Sequence, residues 1–184
     1  MILVRHGQSE FNVVYSETRI DPGIEDPAIT ALGERQARAA AGQLADLGVR
    51  RLISSPYRRA LQTASIIAAE LDAPISVDPM VREHYAFSCD IGSPRSVLAK
   101  TWPGIDFSHI EERWWPHEEE TEDLVAARAG AFLEKTTELE DRDTVAVVSH
   151  WGFIRGVTGL RVPNGTVVRV GRDGQGAVVG SPDP

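Results

Sequence analysis

Short apolar runs alternate with helical patterns along the chain. One run covers residues 2–4 and another covers residues 52–53. Residues 144–149 form a longer run rich in β-branched side chains, which is typical of a strand buried on both faces of a parallel sheet. Residues 30–47 are rich in alanine and predict a helix with Thr30 as its N-cap. The alternation predicts an α/β fold in which helices cover a mainly parallel sheet.

Local patterns predict the remaining elements. Ser55 is a predicted N-cap and Pro56 a predicted first helical position. The helix after them carries apolar residues at helical spacing on one face, namely Ala60, Leu61, Ala64, Ile67, Ala68 and Leu71. The other expected elements are a brief strand at 74–77, an amphipathic helix at 122–139, a short helix after Gly152, a hairpin of 166–170 and 176–179 around Asp173-Gly174, and a disordered tail at 181–184.

The stretch at 85–120 interrupts this order. It has no clean hydrophobic period and contains Trp102, Trp114 and Trp115. We interpret it as an insertion or cap over one edge of the sheet. A length of 184 residues with 42% hydrophobic content suits one ordinary domain, so we expect a single domain over 1–184 with a cap-like insertion at about 85–120.

Composition argues against several partners. The chain carries 19 basic and 27 acidic residues, a formal net charge of -8, so its overall field does not attract nucleic acid or an anionic membrane. Cys89 is the single cysteine, which excludes an internal disulfide and a multi-cysteine metal site. There is no signal-peptide pattern and no apolar stretch near the ~20 residues that a spanning helix requires. We therefore expect a cytoplasmic protein that binds neither nucleic acid nor membrane.

Three of the apolar runs lead to residues that can bind an anion. The first ends at Arg5 and His6, the second leads to Arg58 and Arg59, and the third ends at His150. Ligands of open α/β sheets bind beyond the carboxyl ends of the strands, so we expect these distant residues to converge. A helix amino terminus with arginine in its first turn favours an anion, above all phosphate.

Histidine beside a phosphate site suggests covalent catalysis. A neutral imidazole can attack phosphorus to form a phosphohistidine if its other ring nitrogen is held protonated, for example by a carbonyl oxygen. Two histidines permit one nucleophile and one clamp. The departing oxygen needs a proton, which a carboxylic acid can supply and later remove from water. Glu83, in VREHY, is the candidate for this role.

Five ordered stretches, which together span most of the chain, resemble the histidine phosphatase superfamily of phosphoglycerate mutase-like proteins: LVRHGQSEFN, TALGERQA, SSPYRRALQTA, VREHY and VVSHWGFIR. The resemblance implies a role for each of seven residues: His6 as the phosphorylated nucleophile, Arg5 and Arg59 as ligands of the phosphoryl oxygens, His150 as the group that completes the pocket, Glu83 as the proton donor, and Gln8 and Asn12 as secondary phosphate contacts. It further implies that neither a metal nor another cofactor is needed.

The resemblance also implies a fold and a substrate class. The fold is a three-layer α/β/α sandwich, phosphoglycerate mutase-like, with an insertion over the active site. Trp151 stands where the family commonly has a further glycine and is a candidate substrate contact. The chain is shorter than a typical mutase and lacks its longer substrate-enclosing insertion. This favours hydrolysis of a small phosphorylated metabolite over phosphoryl transfer of the mutase type, and a homodimer is a candidate assembly.

Two other hypotheses stay open from the sequence. Residues 89–95, CDIGSPR, match the CxxGxxR spacing of cysteine-dependent phosphatases, with Cys89 as nucleophile and Arg95 as phosphate ligand. Against this, Asp90 would place a negative charge inside the anion loop, and only Arg95 is near enough to lower the thiol pKa. The second hypothesis is a phosphate-sensing module without turnover, which would follow if Glu83 is misplaced. No metal site is predicted, because the sequence lacks the HExxH zinc spacing.

Overall fold

The computed structural model describes residues 1–182 as a six-stranded sheet with flanking helices. The strands are β1 (Ile2–Arg5), β2 (Arg51–Ser54), β3 (Ile75–Val77), β4 (Val145–Ser149), β5 (Val167–Val170) and β6 (Gly176–Gly180). The helices are α1 (Glu10–Thr18), α2 (Ala31–Asp46), α3 (Arg58–Leu71), α4 (Arg95–Thr101), α5 (Glu122–Thr137) and α6 (Trp151–Thr158), with short 3-10 helices at Pro79–Val81, Ser88–Asp90 and Arg142–Thr144. Residues 183–184 of the predicted disordered tail lie outside the described residues.

The sheet has the strand order β3-β2-β4-β1-β5-β6. Strands β1 to β4 run parallel, whereas β5 and β6 add antiparallel pairs on one side. This confirms the predicted α/β class and mainly parallel sheet, and the hairpin expected around Asp173-Gly174 is the β5–β6 pair. Because parallel strands end at the same edge, the residues that follow β1, β2 and β4 are delivered to one side of the molecule.

Helices cover both faces of the sheet. Ile2 and Val4 of β1 pack in one hydrophobic cluster with side chains of α2 and α3. Leu3 packs in a second cluster with side chains of α5 and α6. Successive strand residues point to opposite faces, so a strand with apolar side chains on both faces must be covered on both sides, and β4 is buried at every position. The predicted three-layer sandwich is therefore confirmed.

The predicted starts of α2 and α3 have different outcomes. Thr30 caps α2 as expected, because its hydroxyl accepts the N–H of Gly33 at 3.1 Å. The start predicted for α3 at Ser55 and Pro56 is wrong, since Tyr57 is the N-cap with a non-helical backbone and the helix begins at Arg58. The cap comes from a distant residue instead: Asp26 Oδ1 accepts the N–H of Arg58 at 2.8 Å. A carboxylate that is remote in sequence leaves no trace in a local pattern.

The structure contains two further helices. In α1, Ser9 is the N-cap and accepts the N–H of Asn12, while the Asn12 side chain accepts the N–H of Ser9. Within 85–120 the chain forms the helix α4, and Trp114 of this stretch packs in a third cluster with Tyr57 and Leu98. No helix within residues 1–182 is both long enough and apolar enough to span a membrane.

Candidate active site

The ends of β1 and β4 bring two histidines together. These strands are paired in register, with Arg5 opposite Ser149, and the N–H of His6 donates to Ser149 O at 2.9 Å. The residues that follow, His6 and His150, have ring centroids 5.0 Å apart. The convergence predicted from the strand ends is thus present, although the two histidines are far apart in sequence.

His6 is held as a neutral imidazole with one defined tautomer. Its Nδ1 lies 2.7 Å from the carbonyl oxygen of Gly7, and only an Nδ1–H can make this hydrogen bond. Burial lowers the pKa of His6 well below its usual value, and the charges of Arg59 and Arg5 lower it further. Nε2 therefore carries an unshared electron pair, which is the form that a nucleophile requires.

Gly7 fixes the backbone beside this histidine. A Cβ at position 7 would lie 2.3 Å from the carbonyl oxygen of Gly33 in α2, so the two backbones approach too closely for any side chain. The N–H of Gly7 also donates to Thr63 Oγ1 of α3 at 3.0 Å. The carbonyl that orients His6 is therefore anchored by two helices.

Two arginine side chains, Arg5 and Arg59, lie near His6. Arg5 Nη1 donates to Val162 O at 2.7 Å, while its buried Nε has no hydrogen-bond partner within residues 1–182. Burial lowers the pKa of Arg5 to about 10, so the guanidinium still carries its charge at neutral pH. Arg59, from the first turn of α3, donates from Nη1 to Cys89 O at 2.6 Å and from Nη2 to Asp90 Oδ1 at 3.0 Å.

His150 packs against His6, with ring centroids 5.0 Å apart. It is fully buried, and neither Nδ1 nor Nε2 has a hydrogen-bond partner among the described residues. Burial lowers its pKa well below the usual value, and the nearby charge of Arg59 adds to the effect. Buried polar atoms are rarely left unpaired in proteins, and an oxygen-rich ligand beside His150 would supply a partner.

Glu83 faces these groups from the segment after β3. Its Oε1 accepts the N–H of Gly152 at 2.7 Å and the N–H of His84 at 2.9 Å. Burial raises the pKa of Glu83 and the charge of Asp90 raises it further, whereas Arg59 acts in the opposite direction. A carboxyl group with a raised pKa holds its proton closer to neutral pH, which suits a general acid.

A cavity of about 540 Å³ collects most of the predicted residues. Seven of the eight line it, namely Arg5, His6, Gln8, Asn12, Arg59, Glu83 and Trp151, while His150 is the one beneath. Gln8 Oε1 accepts the Thr30 hydroxyl at 2.8 Å. Asn12 Oδ1 accepts Asn164 Nδ2 at 3.1 Å as well as the Ser9 N–H. Both amides thus have their oxygen engaged, so the amide nitrogen is the group that each can offer to a ligand.

Sequence reasoning did not identify two residues of the site. Asn164 Nδ2 donates to His6 O at 3.0 Å, and the N–H of Gly165 donates to the same carbonyl at 3.2 Å. Gly165 has a φ of 74°, so an Asn-Gly turn directs Asn164 into the site. Asp90 lines the cavity as the partner of Arg59, although the sequence suggested it only as an obstacle to the cysteine hypothesis.

The structure does not support a cysteine nucleophile. Burial raises the pKa of the Cys89 thiol far above its usual value, and Asp90 adds to this shift while Arg59 opposes it. Arg95 forms an ion pair with Glu112 at 3.4 Å, and its Nη1 donates to Ile110 O. The two ends of the CxxGxxR motif therefore do not assemble a phosphate loop. Residues 1–182 contain no cluster of three histidine, cysteine or acidic side chains arranged to hold a metal ion.

Known proteins similar to this chain include mutases and phosphatases. A probable phosphoglycerate mutase GpmB of Enterobacter is 43% identical over 81 residues, which are 44% of this chain and 36% of the relative. A second GpmB, from Proteus mirabilis, is 41% identical and is also matched over 36% of its length, so the match spans about a third of these relatives. A glucosyl-3-phosphoglycerate phosphatase of Mycolicibacterium vanbaalenii is 31% identical over 91% of this chain and 78% of its own length.

Solved structures show the same fold. A mycobacterial glucosyl-3-phosphoglycerate phosphatase in complex with VO3 superimposes with a TM-score of 0.66 at 23% identity, covering 97% of this chain and 96% of that one. YhfR of Bacillus stearothermophilus gives a TM-score of 0.64 at 21% identity, covering 97% and 94%. The model of the histidine phosphatase superfamily (branch 1) matches residues 1–171. The chain belongs to the histidine phosphatase superfamily.

Proposed function

We propose that the protein is a phosphomonoester hydrolase that acts on a small phosphorylated metabolite through a phosphohistidine at His6. One observation carries this proposal. A neutral His6, oriented by the Gly7 carbonyl, borders a cavity that Arg5 also lines, and His150 packs against His6 with ring centroids 5.0 Å apart. Arg5 Nε and both ring nitrogens of His150 are buried without partners among the described residues. A phosphoryl group supplies the oxygen acceptors that these nitrogens lack. A relative that is matched over most of its length and is named a phosphatase supports the same function.

In the first step His6 replaces the alcohol on phosphorus. The phosphoryl oxygens bind Arg5, Arg59 and His150, with the amide nitrogens of Gln8 and Asn12 as further donors. His6 Nε2 forms a bond to phosphorus while the bond from phosphorus to the ester oxygen breaks. Glu83 gives its proton to that oxygen, so an alcohol leaves and a carboxylate remains.

In the second step water releases the phosphate. The Glu83 carboxylate takes a proton from a water molecule, whose oxygen bonds to phosphorus as the bond to Nε2 breaks. The electron pair returns to His6, and inorganic phosphate leaves. The positive charges of Arg5 and Arg59 stabilise the extra negative charge that develops on the phosphoryl oxygens in both steps.

A phosphoglycerate mutase is the second candidate function. The matches to relatives named probable phosphoglycerate mutase support it, and the first step would be the same, with a second hydroxyl in place of water. Assays with 3-phosphoglycerate, with and without its bisphosphate primer, separate the two, because only a mutase forms an isomer. We further propose that the protein is one domain that works in the cytoplasm, and a homodimer stays a prediction.

Hydrolysis of p-nitrophenyl phosphate by three proteins tests the proposal. We expect His6→Ala to abolish turnover and Cys89→Ser to leave it largely intact, because Cys89 is not the nucleophile. Wild-type protein quenched during turnover of a labelled ester should carry acid-labile phosphate on His6, and a metal chelator should leave the rate unchanged. Binding of phosphate without any turnover would instead indicate a phosphate-sensing module, and label on sulfur would indicate a cysteine enzyme.

A further inference from the structure

One wall of the active-site cavity is aromatic. Phe11 and Tyr15 lie one turn apart on α1 and stack with ring centroids 5.2 Å apart and 17° between the planes. Phe87, from the segment before Asp90, completes the wall, with its ring 5.8 Å from Phe11 and 5.1 Å from Tyr15. All three rings line the cavity that also contains His6.

Phe87 is unusually exposed for an aromatic residue. Its exposed fraction is 39%, and it is the one aromatic residue among the large hydrophobic side chains exposed in residues 1–182. Phe11, in contrast, is buried and Tyr15 is half-buried. Phe11 therefore fixes the aromatic cluster against the protein, and Phe87 is the ring of the cluster that solvent reaches most. Exposed apolar surface at the mouth of a concave polar site is typical of a ligand-binding surface.

The same two segments build the aromatic wall and the phosphate site. Asn12, which lines the cavity, directly follows Phe11 in α1. Cys89 and Asp90, whose oxygens bind Arg59, follow shortly after Phe87. A phosphoryl group bound at the arginines therefore has aromatic rings on the adjoining wall. The volume of about 540 Å³ exceeds what a phosphoryl group needs and falls in the range of pockets for small organic ligands.

The charge near the aromatic wall gives little stabilisation to a second anionic group on the substrate. The cation beside the rings is Arg19, whose guanidinium lies 5.9 Å from the centre of the Tyr15 ring. Arg19 is exposed at the end of α1. A solvated cation contributes little to binding a carboxylate, whereas ordered aromatic rings bind a flat apolar group at low entropic cost.

We propose that the substrate is a phosphomonoester whose leaving group is planar and apolar, an aryl or arylalkyl alcohol, and that Phe87 with Tyr15 and Phe11 binds this group. The inference rests on the proposed function, since it assigns the leaving group of the ester that is hydrolysed at His6. Phe87 acts as the main specificity determinant because it has the largest exposed fraction of the three rings.

Two alkyl esters with similar leaving-group basicity test the assignment. We compare 2-phenylethyl phosphate with propyl phosphate and 3-phosphoglycerate in the wild type, in Phe87→Ala and in the control Val97→Ala, an exposed apolar residue of α4 away from the cavity. We expect the wild type to prefer 2-phenylethyl phosphate over both others in kcat/KM. Phe87→Ala should lower kcat/KM for this ester about tenfold through KM, the size of one lost aromatic contact, and change that for propyl phosphate by less than about twofold. Val97→Ala should change neither.

Two outcomes would refute the aromatic leaving group and leave the proposed hydrolase function intact. One is a wild-type preference for 3-phosphoglycerate, and the other is an equal loss for both alkyl esters in Phe87→Ala. If no ester is hydrolysed, the proposed function fails separately, and calorimetry with 2-phenylethylphosphonate and propylphosphonate still decides. Tighter binding of the phenyl compound that is lost in Phe87→Ala supports the aromatic wall, and equal Kd values for the two phosphonates refute it.

Discussion

Arg59 Nη2 lies 3.0 Å from Asp90 Oδ1, and both side chains are almost completely buried. The other oxygen of Asp90 accepts the N–H groups of Ala86 at 3.2 Å and Phe87 at 3.1 Å. The arginine that is proposed to bind phosphate is thus already paired with a carboxylate on a well-anchored segment. A phosphoryl group has to share Arg59 with Asp90 or take its place.

Asp90→Asn should strengthen phosphate binding. The substitution keeps the shape of the side chain but removes a negative charge from the cavity, and a unit charge several ångströms away in a partly buried site is worth about 1–2 kcal/mol. We expect the inhibition constant of inorganic phosphate to fall about tenfold, and Tm to fall by a few degrees because a buried pair is broken. Competitive inhibition and thermal melts measure both. The control is Asp106→Asn, which removes a carboxylate at an exposed position. Weaker phosphate binding in Asp90→Asn would contradict this prediction and would mean that Asp90 positions Arg59 for its ligand.

Glu83→Gln should separate esters by the basicity of their leaving group. An alkoxide needs a proton to depart, so we expect kcat for alkyl phosphates to fall on the order of a hundredfold or more. The loss in the first step should be smaller for p-nitrophenyl phosphate, whose leaving group is stable as an anion. Because the variant also lacks the base that activates water, rapid mixing should show a burst of p-nitrophenolate and phosphate retained on His6.

The pH profile of the wild type gives a check on the same residue. Protonated Glu83 is the active form in the first step, and its raised pKa means that the rate falls only as pH rises through that pKa. The lowered pKa of His6 keeps the nucleophile neutral, so loss of activity on the acid side begins well below pH 6.5. Glu83→Gln should lack the fall on the alkaline side. If Glu83→Gln lowers kcat equally for alkyl phosphates and p-nitrophenyl phosphate and gives no burst of p-nitrophenolate, Glu83 is not the proton donor.

The sequence predicted those parts of the site that follow from regular elements. His6 and His150 were expected to meet because each ends a parallel strand, and strand ends share an edge of the sheet whatever their separation in sequence. Asp90 lies in a single-turn 3-10 helix and Asn164 lies in a loop, and the paths of both segments depend on packing and not on a repeating pattern. The start of α3 was misplaced for a related reason, since Asp26 caps it from outside the local sequence.

Gly152→Ala should impair proton transfer by Glu83 although Glu83 itself is unchanged. A Cβ at position 152 would lie 2.5 Å from Glu83 Oε1 and 2.7 Å from His84 Cβ, so the carboxyl group has to move. We expect kcat for alkyl phosphates to fall about 10- to 100-fold, while the inhibition constant of phosphate changes by less than about threefold. The control is Gly156→Ala in the same helix, where the nearest atoms would lie 3.4 Å away. A large loss of phosphate affinity in Gly152→Ala would show that the whole site is distorted.

His150→Gln should make the protein less sensitive to acid. The folded state keeps His150 neutral because its pKa is well below 6.5, whereas the unfolded chain binds a proton there as pH falls through 6.5. The unfolded state then holds more protons, so the free energy of unfolding falls as pH is lowered, by up to about 2 kcal/mol for one histidine between pH 8 and pH 5. His6 adds a contribution of the same sign, and the raised pKa values of Asp26, Glu83 and Asp90 oppose it.

The difference between two proteins isolates the contribution of His150. Urea unfolding of the wild type and His150→Gln at pH 8 and pH 5 gives four free energies of unfolding. Because the three carboxyl groups and His6 are present in both proteins, their contributions cancel to first order in the comparison. The variant should lose less stability than the wild type, by up to about 2 kcal/mol. His117→Gln removes an exposed histidine and should follow the wild type. Equal losses in all three proteins would mean that His150 takes up a proton in the folded state, and a charged imidazolium behind His6 would contradict the neutral pocket on which the phosphohistidine mechanism depends.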